Sequence, residues 1–299
     1  MKEVVAIPLT LLPIWKKNVL LPNDTINMST SQNITEKVYR KLIILAGLQG
    51  FSFTVVDTLL NRIEFVKQVD FDTVSKADNL EKHYLNAFLE NEHLTDVYDH
   101  VMILHENNLN SFVPKSLFDA DFMPSYLQYN IKVFETDTFA HDELRHTELI
   151  NVFVPFANIN NFLLDQYNVF DFKHFSSILV EKLLERTINI EQKQVFAYLR
   201  KNNFEIIVAE NQKLILYNSF EITNEADFIY YLLFTAEQLQ LNTEHFELSL
   251  LGNISADDEY YKIAYKYVRN TELLDVTELQ KHNNLNTADN LKHFVLLQS

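Results

Sequence analysis

The sequence predicts a duplicated α/β protein in which two three-stranded meanders each open a half built as β-β-β-α-β-α. Three observations carry this. Apolar residues recur with a period of two through residues 41–71 and again through 194–220. Each run is followed by a stretch of helical spacing, a short apolar strand and a second helix. Placing Asn203-Phe204 over Gly50-Phe51, an offset of 153 residues, then aligns the element order of the two runs.

In the first half, residues 41–46, 51–57 and 62–71 read as strands, separated by Gly47-Leu48-Gln49-Gly50 and Leu59-Leu60-Asn61. A helix follows over 78–92 with Leu80, Tyr84, Ala87 and Phe88 on one side, then a strand over 97–104 and a short helix opened by Pro114. A β-rich insert at about 127–156 holds strands over 127–138 and 147–156. Residues 158–166 read as a helix, 170–173 as a strand and 174–186 as the helix closing the first half. In the second half, strands span 194–199, 204–209 and 213–220, with a helix over 224–241 and a buried strand over 246–251. Ser255 and Asp258 form a capping-box-like start to a helix ending near Val268, and 272–276 reads as a last strand. The halves are expected at 35–190 and 191–299. Residues 1–34 are expected to be a loose arm, or in part a start placed ahead of Met28.

Composition narrows the function classes. With 47% apolar and 22% charged residues the chain has enough apolar surface for a large core. A net charge of −16 repels phosphate backbones, and the basic pairs Lys16-Lys17 and Arg200-Lys201 are too small to offset it, so no nucleic acid is expected as partner. No cysteine is present, which removes thiolate metal sites and cysteine nucleophiles and suits a reducing cytoplasm. The apolar stretch 4–15 is interrupted by Pro8 and Pro13 and is too short to span a bilayer, so membrane insertion is not expected. Only three glycines occur, Gly47, Gly50 and Gly252, too few to write a Walker loop or a dinucleotide fingerprint.

Four motifs carry a family resemblance: Leu48-Gln49-Gly50-Phe51-Ser52-Phe53, Ser111-Phe112-Val113-Pro114, Asn151-Val152-Phe153-Val154-Pro155-Phe156 and Asn160-Asn161-Phe162-Leu163-Leu164-Asp165. Over roughly residues 35–276 the chain resembles an uncharacterised bacterial family, found mostly in Bacteroidetes, of actin-like ATPase (ribonuclease H-like) fold. More distantly it resembles the actin-like proteins beneath pilus and secretion machinery, which act through partner binding. The resemblance implies a fold, and for the wider fold a nucleotide held between the halves.

In that fold the first turn of each half carries Asp-x-Gly, the glycine opening backbone amides to phosphate and the carboxylates holding a hydrated metal. Here Ala46-Gly47-Leu48-Gln49-Gly50 keeps glycines without an acid, and Leu199-Arg200-Lys201-Asn202-Asn203 has neither. Leu250-Leu251-Gly252-Asn253 keeps one glycine of the adenosine-side pair. The expectation is therefore a non-catalytic binding or scaffold protein with an unidentified protein partner and no cofactor. The alternative is a divergent ATP-binding protein, or weak ATPase, using Gly47, Gly50, Arg200, Lys201 and Gly252. Arg200 and Lys201 offer charge to a phosphate in that case, and otherwise form an exposed basic hairpin turn.

No catalytic or metal-binding residue is expected. Glu143 and His146 have Glu-x-x-His spacing, but 141–146 reads as a charged, solvated turn without a second such pair. Ser52 lacks the elbow a serine nucleophile needs. Asp119/Asp121 and Asp257/Asp258 suit helix starts. Tyr230, Tyr231, Tyr260, Tyr261, Tyr265 and Tyr267 sit on helices, and adjacent rings cannot share one face. They either pack two layers onto the sheet or form a contact surface on the second half.

Overall fold

A computed structural model describes residues 37–71 and 80–299. The arm expected over 1–34, and the first two residues of the helix expected at 78–92, lie outside the described residues. Strands β1 (Arg40–Ala46), β2 (Gly50–Asp57) and β3 (Arg62–Asp70) form the first meander, and α1 (Leu80–Glu90) and β4 (His100–His105) follow. Next come β5 (Asn110–Pro114), α2 (Met123–Leu127), β6 (Ala140–Glu143), β7 (Leu149–Phe153), α3 (Ala157–Tyr167), β8 (Asp171–His174) and α4 (Phe175–Glu185). The second half holds β9 (Gln194–Leu199), β10 (Asn203–Glu210), β11 (Lys213–Glu221), α5 (Glu225–Gln238), β12 (Glu247–Gly252), α6 (Glu259–Tyr267) and β13 (Asn270–Leu273). Three short helices end the chain: α7 (Thr277–Gln280), α8 (Thr287–Lys292) and α9 (Phe294–Leu297).

Two five-stranded sheets repeat one another, in the orders β3-β2-β1-β4-β8 and β11-β10-β9-β12-β13. In both, the meander is antiparallel and the later strands pair in parallel. The offset read from the sequence recurs in fine detail. The β2–β3 ladder shifts register between Val55 and Val56, the β10–β11 ladder between Val208 and Ala209. Those positions lie 153 residues apart, so the duplication preserves even the bulge.

Side-chain alternation sorts the core into layers. Leu42, Ile44 and Ala46 of β1 pack outward beneath α1 and α3 with Phe53, Tyr84 and Phe88. Val195, Ala197 and Leu199 of β9 pack outward beneath α5 and α6 with Phe228 and Leu232. The opposite faces meet: Ile43 and Leu45 join Phe196 and Tyr198 in one middle layer, filled by Phe175 and Leu179 of α4 and by Phe294 and Val295 of α9.

Several expectations need correction. Residues 127–138 do not form a strand, because Pro124 lies in the first turn of α2 and turns follow it. The strand is β6, inside the stretch read as a solvated turn. Asp142 is buried there and accepts hydrogen bonds from the Ser177 hydroxyl and the His174 amide. Residues 110–114 are a strand pairing with β7, and the residues after Pro114 make only a 3₁₀ turn. The small sheet, ordered β5-β7-β6, thus begins at Asn110. Asp258, not Ser255, caps α6, accepting from the Tyr260 amide at 3.0 Å. The last strand lies at 270–273 rather than 272–276, and α7–α9 had no counterpart in the reading.

Candidate functional site

The two first turns face each other across a cleft of about 470 Å³ between the halves. They close identically. The Gly47 amide donates to Gly50 O at 3.0 Å, and the Arg200 amide donates to Asn203 O at 2.8 Å. Gly47 O accepts from the buried Tyr84 hydroxyl at 2.9 Å. Both polar backbone atoms of Gly47 therefore have partners within the protein.

Gly47, Gly50, Arg200 and Lys201 all line this cleft, so the structure brings four of the five nucleotide candidates together. Two of the glycines have packing reasons. A Cβ on Gly50 would lie 2.3 Å from Val69 O, and its φ of +145° disfavours other residues. Gly252 does not line the cleft. It lies beside the end of β9, where a Cβ would sit 2.2 Å from Leu199 O, and it has a φ of +92°.

Arg200 is not the exposed turn residue its basic surroundings suggest. Its side chain is 15% exposed and pairs with Glu205, which is 0% exposed. Nε donates to Glu205 Oε2 at 3.1 Å, a second nitrogen donates to Oε1, and the Ser219 hydroxyl also donates to Oε1 at 3.0 Å. The guanidinium lies over the Phe175 ring at 4.9 Å, tying β9 to α4 of the other half. Burial pulls the Arg200 pKa down, but the charges of Glu205 and then Glu106 outweigh this and leave it above the ordinary value. Lys201 remains exposed.

Glu106, just beyond β4, lines the cleft and escaped the sequence reading. Its Oε2 lies 3.3 Å from where a Gly47 Cβ would stand. Burial pushes its carboxyl pKa up, partly opposed by Arg200. A carboxyl so placed is a candidate acid or base, on a lining that also holds Asp70, Glu221 and His293. It does not replace the missing pair, since neither turn carries an acid. No group of three His, Asp or Glu among the described residues is arranged to hold a metal. The residues present do not fit the hydrated-metal clamp of actin-like ATPases.

Other constellations resolve locally. His146 sits in a turn with φ of 59°, and Glu143 ends a strand paired to Lys115, so the two share no helical face. Asp119 caps a 3₁₀ turn by accepting from the Asp121 amide at 3.0 Å. Ser176 Oγ lies 2.6 Å from His174 Nδ1, whose Nε2 faces Asn107 Oδ1 at 3.2 Å, a nucleophile-like chain. Ser176 and His174 are both fully buried, burial holds His174 well below its ordinary pKa, and its ring caps α4. That chain is a helix cap without solvent access. Of the tyrosines, Tyr231 stacks on Phe220 at 4.4 Å and Tyr260 packs edge-on to Phe228, while Tyr230, stacked with Phe234, and Tyr265 and Tyr267 are exposed.

Two duplicated sheets around a cleft define the actin-like ATPase fold, and comparison with known proteins agrees. The chain belongs to the family described as protein of unknown function DUF3822, which it matches over residues 29–271. It is similar to a Bacteroides thetaiotaomicron protein with an actin-like ATPase fold and unknown function, at TM-score 0.74 and 24% identity, over 89% of this chain and 98% of that one. It is also similar to a chain of the PilM-PilN type IV pilus biogenesis complex, at TM-score 0.56 and 11% identity, over 86% and 96% of the two chains. No curated protein matches. No helix among the described residues is long and apolar enough to cross a membrane.

Proposed function

We propose that this chain is a binding module of actin-like fold, working in the cytoplasm by holding a protein partner and not by hydrolysing nucleotide. One observation carries the reading. The cleft's one buried cation, Arg200, is already engaged by Glu205, between two turns that carry no carboxylate. An incoming triphosphate meets little uncompensated charge: Lys201 and Lys292 on the lining are balanced by Asp70, Glu106 and Glu221. The PilM-PilN complex supports partner binding as a use of this fold, and the exposed rings of α5 and α6 supply contact area.

The competing reading, nucleotide bound without turnover, draws on the size of the cleft and on Lys201. Thermal melting with and without Mg-ATP separates them. Saturation at a hundred times the dissociation constant adds about 2.7 kcal/mol to stability. We expect no shift at millimolar Mg-ATP, and a clear upward shift would overturn the proposal. The tagged chain recovered from its own host should also carry a stoichiometric protein, and its repeated recovery alone would count against the module.

A further inference from the structure

A second groove, about 720 Å³, lies between β11 and the small sheet. Six successive residues of β11, 214–219, line it, as do Asn110, Ser111, Phe112 and Pro114 of β5. A groove over a sheet face touches alternate residues. One that touches every residue runs along the strand's edge. Both strands are edges, since β11 ends its five-stranded sheet and β5 its three-stranded one. The groove therefore lies between two strands that each have an unpaired backbone side. Phe112 and Tyr217 reach across it with ring centroids 4.9 Å apart.

The duplication supplies an internal control. β3 occupies the same edge of the first sheet, and its sequence RIEFVKQVD carries four charges. That edge is also partly covered, the Ile63 amide donating to His282 O at 2.9 Å. Charge and cover are how edges are blunted against stray pairing. β11 reads KLILYNSFE, with charges only at its two ends. At 22% charged residues, a lining of this size would carry about three charges, and it carries none.

We propose that this groove accepts an extended segment of another protein, which adds a strand along β11. The segment is uncharged over the five or so residues that face 214–219, because a charge there would lose water without a counter-charge. An acidic residue at the end near Lys213 and a basic one near Glu221 complete the match. The proposal rests on reading the chain as a binding module and names the surface and partner chemistry.

The test uses the full chain and a displayed library of random nine-residue peptides as probe, followed by amide hydrogen exchange. We expect selected peptides with an uncharged centre that slow exchange in residues 213–221. Ile215→Lys should weaken binding at least about tenfold without lowering the melting temperature, while Leu89→Lys, at an exposed position of α1 away from the groove and the aromatic face, leaves it unchanged. Peptides that protect other amides, or that depend on Tyr265 and not Ile215, would overturn the groove and leave the module reading standing. An empty selection together with stabilisation by Mg-ATP would overturn both, and an empty selection without it would overturn the groove alone. Binding only after removal of residues 1–27 would make the chain's own segment the occupant. A concentration-dependent dimer protecting 213–221 would make it a second copy. Either result overturns a foreign partner.

Discussion

Replacing Glu205 with Gln keeps the shape of the buried pair and removes its negative charge. The Arg200 guanidinium then stays over the Phe175 ring, with Glu106 as its remaining acid. Breaking a buried ion pair on one side costs about 3–5 kcal/mol, because the other charge is left without its partner. At roughly 2–4 °C per kcal/mol for a chain of this size, the melting temperature should fall by about 6–20 °C. The double variant Arg200→Met/Glu205→Leu removes both charges and should recover most of that loss, since contacting residues are strongly non-additive. Urea unfolding at pH 7, followed by far-ultraviolet circular dichroism, reads Glu205→Gln, the double variant and its two components, Arg200→Met and Glu205→Leu. A Glu205→Gln cost below about 1 kcal/mol would mean the pair behaves as a surface contact. A double variant as unstable as the summed singles would mean Arg200 and Glu205 act independently. Either result would remove the reason for treating Arg200 as unavailable to a phosphate.

Acid should destabilise the chain through His105. Burial lowers its folded-state pKa to about 4 from the ordinary 6.5, so the unfolded state takes up a proton that the folded state refuses. The stability is present above pH 6.5 and is lost as pH falls towards 4, by about 3 kcal/mol; His105→Phe should make the melting-temperature profile less steep over that window, the buried His174 and His293 keeping the rest of the slope. Gly252→Ala should cost about 2–4 kcal/mol, because its Cβ meets Leu199 O, and a urea midpoint unchanged from wild type would refute the packing role. Tyr84→Phe removes the donor to Gly47 O and should cost about 1–3 kcal/mol, with faster amide exchange in the turn between β1 and β2 as its local signature.

The meanders were legible because alternation and turn residues agree there. Residues 42–46 are buried on both faces, and Gly50 marks where two backbones approach closely. The same alignment that related Gly50 to Asn203 also relates the two bulges, a detail no propensity encodes. β6 was illegible because Ala-His-Asp-Glu has little strand preference. It is a strand because β7 offers an edge and because Asp142 reaches Ser177 on α4. The Arg200–Glu205 pair left a trace that was passed over. Glu205 is the one charge inside Phe-Glu-Ile-Ile-Val-Ala, and a lone carboxylate in an apolar run requires a partner. Glu106 left none, since a single acid after a strand is ordinary, and its place opposite Gly47 is set by the pairing of β4 with β1.

The layer shared by the two sheets sets the mechanics of the cleft. Widening or narrowing it requires Phe175 and Phe294 to slide over strands of both halves, through an interior with no slack. The gap between the turns is therefore closer to a fixed gauge than to a jaw. A guest entering it would be selected by size and shape. A load applied to either half is carried by both.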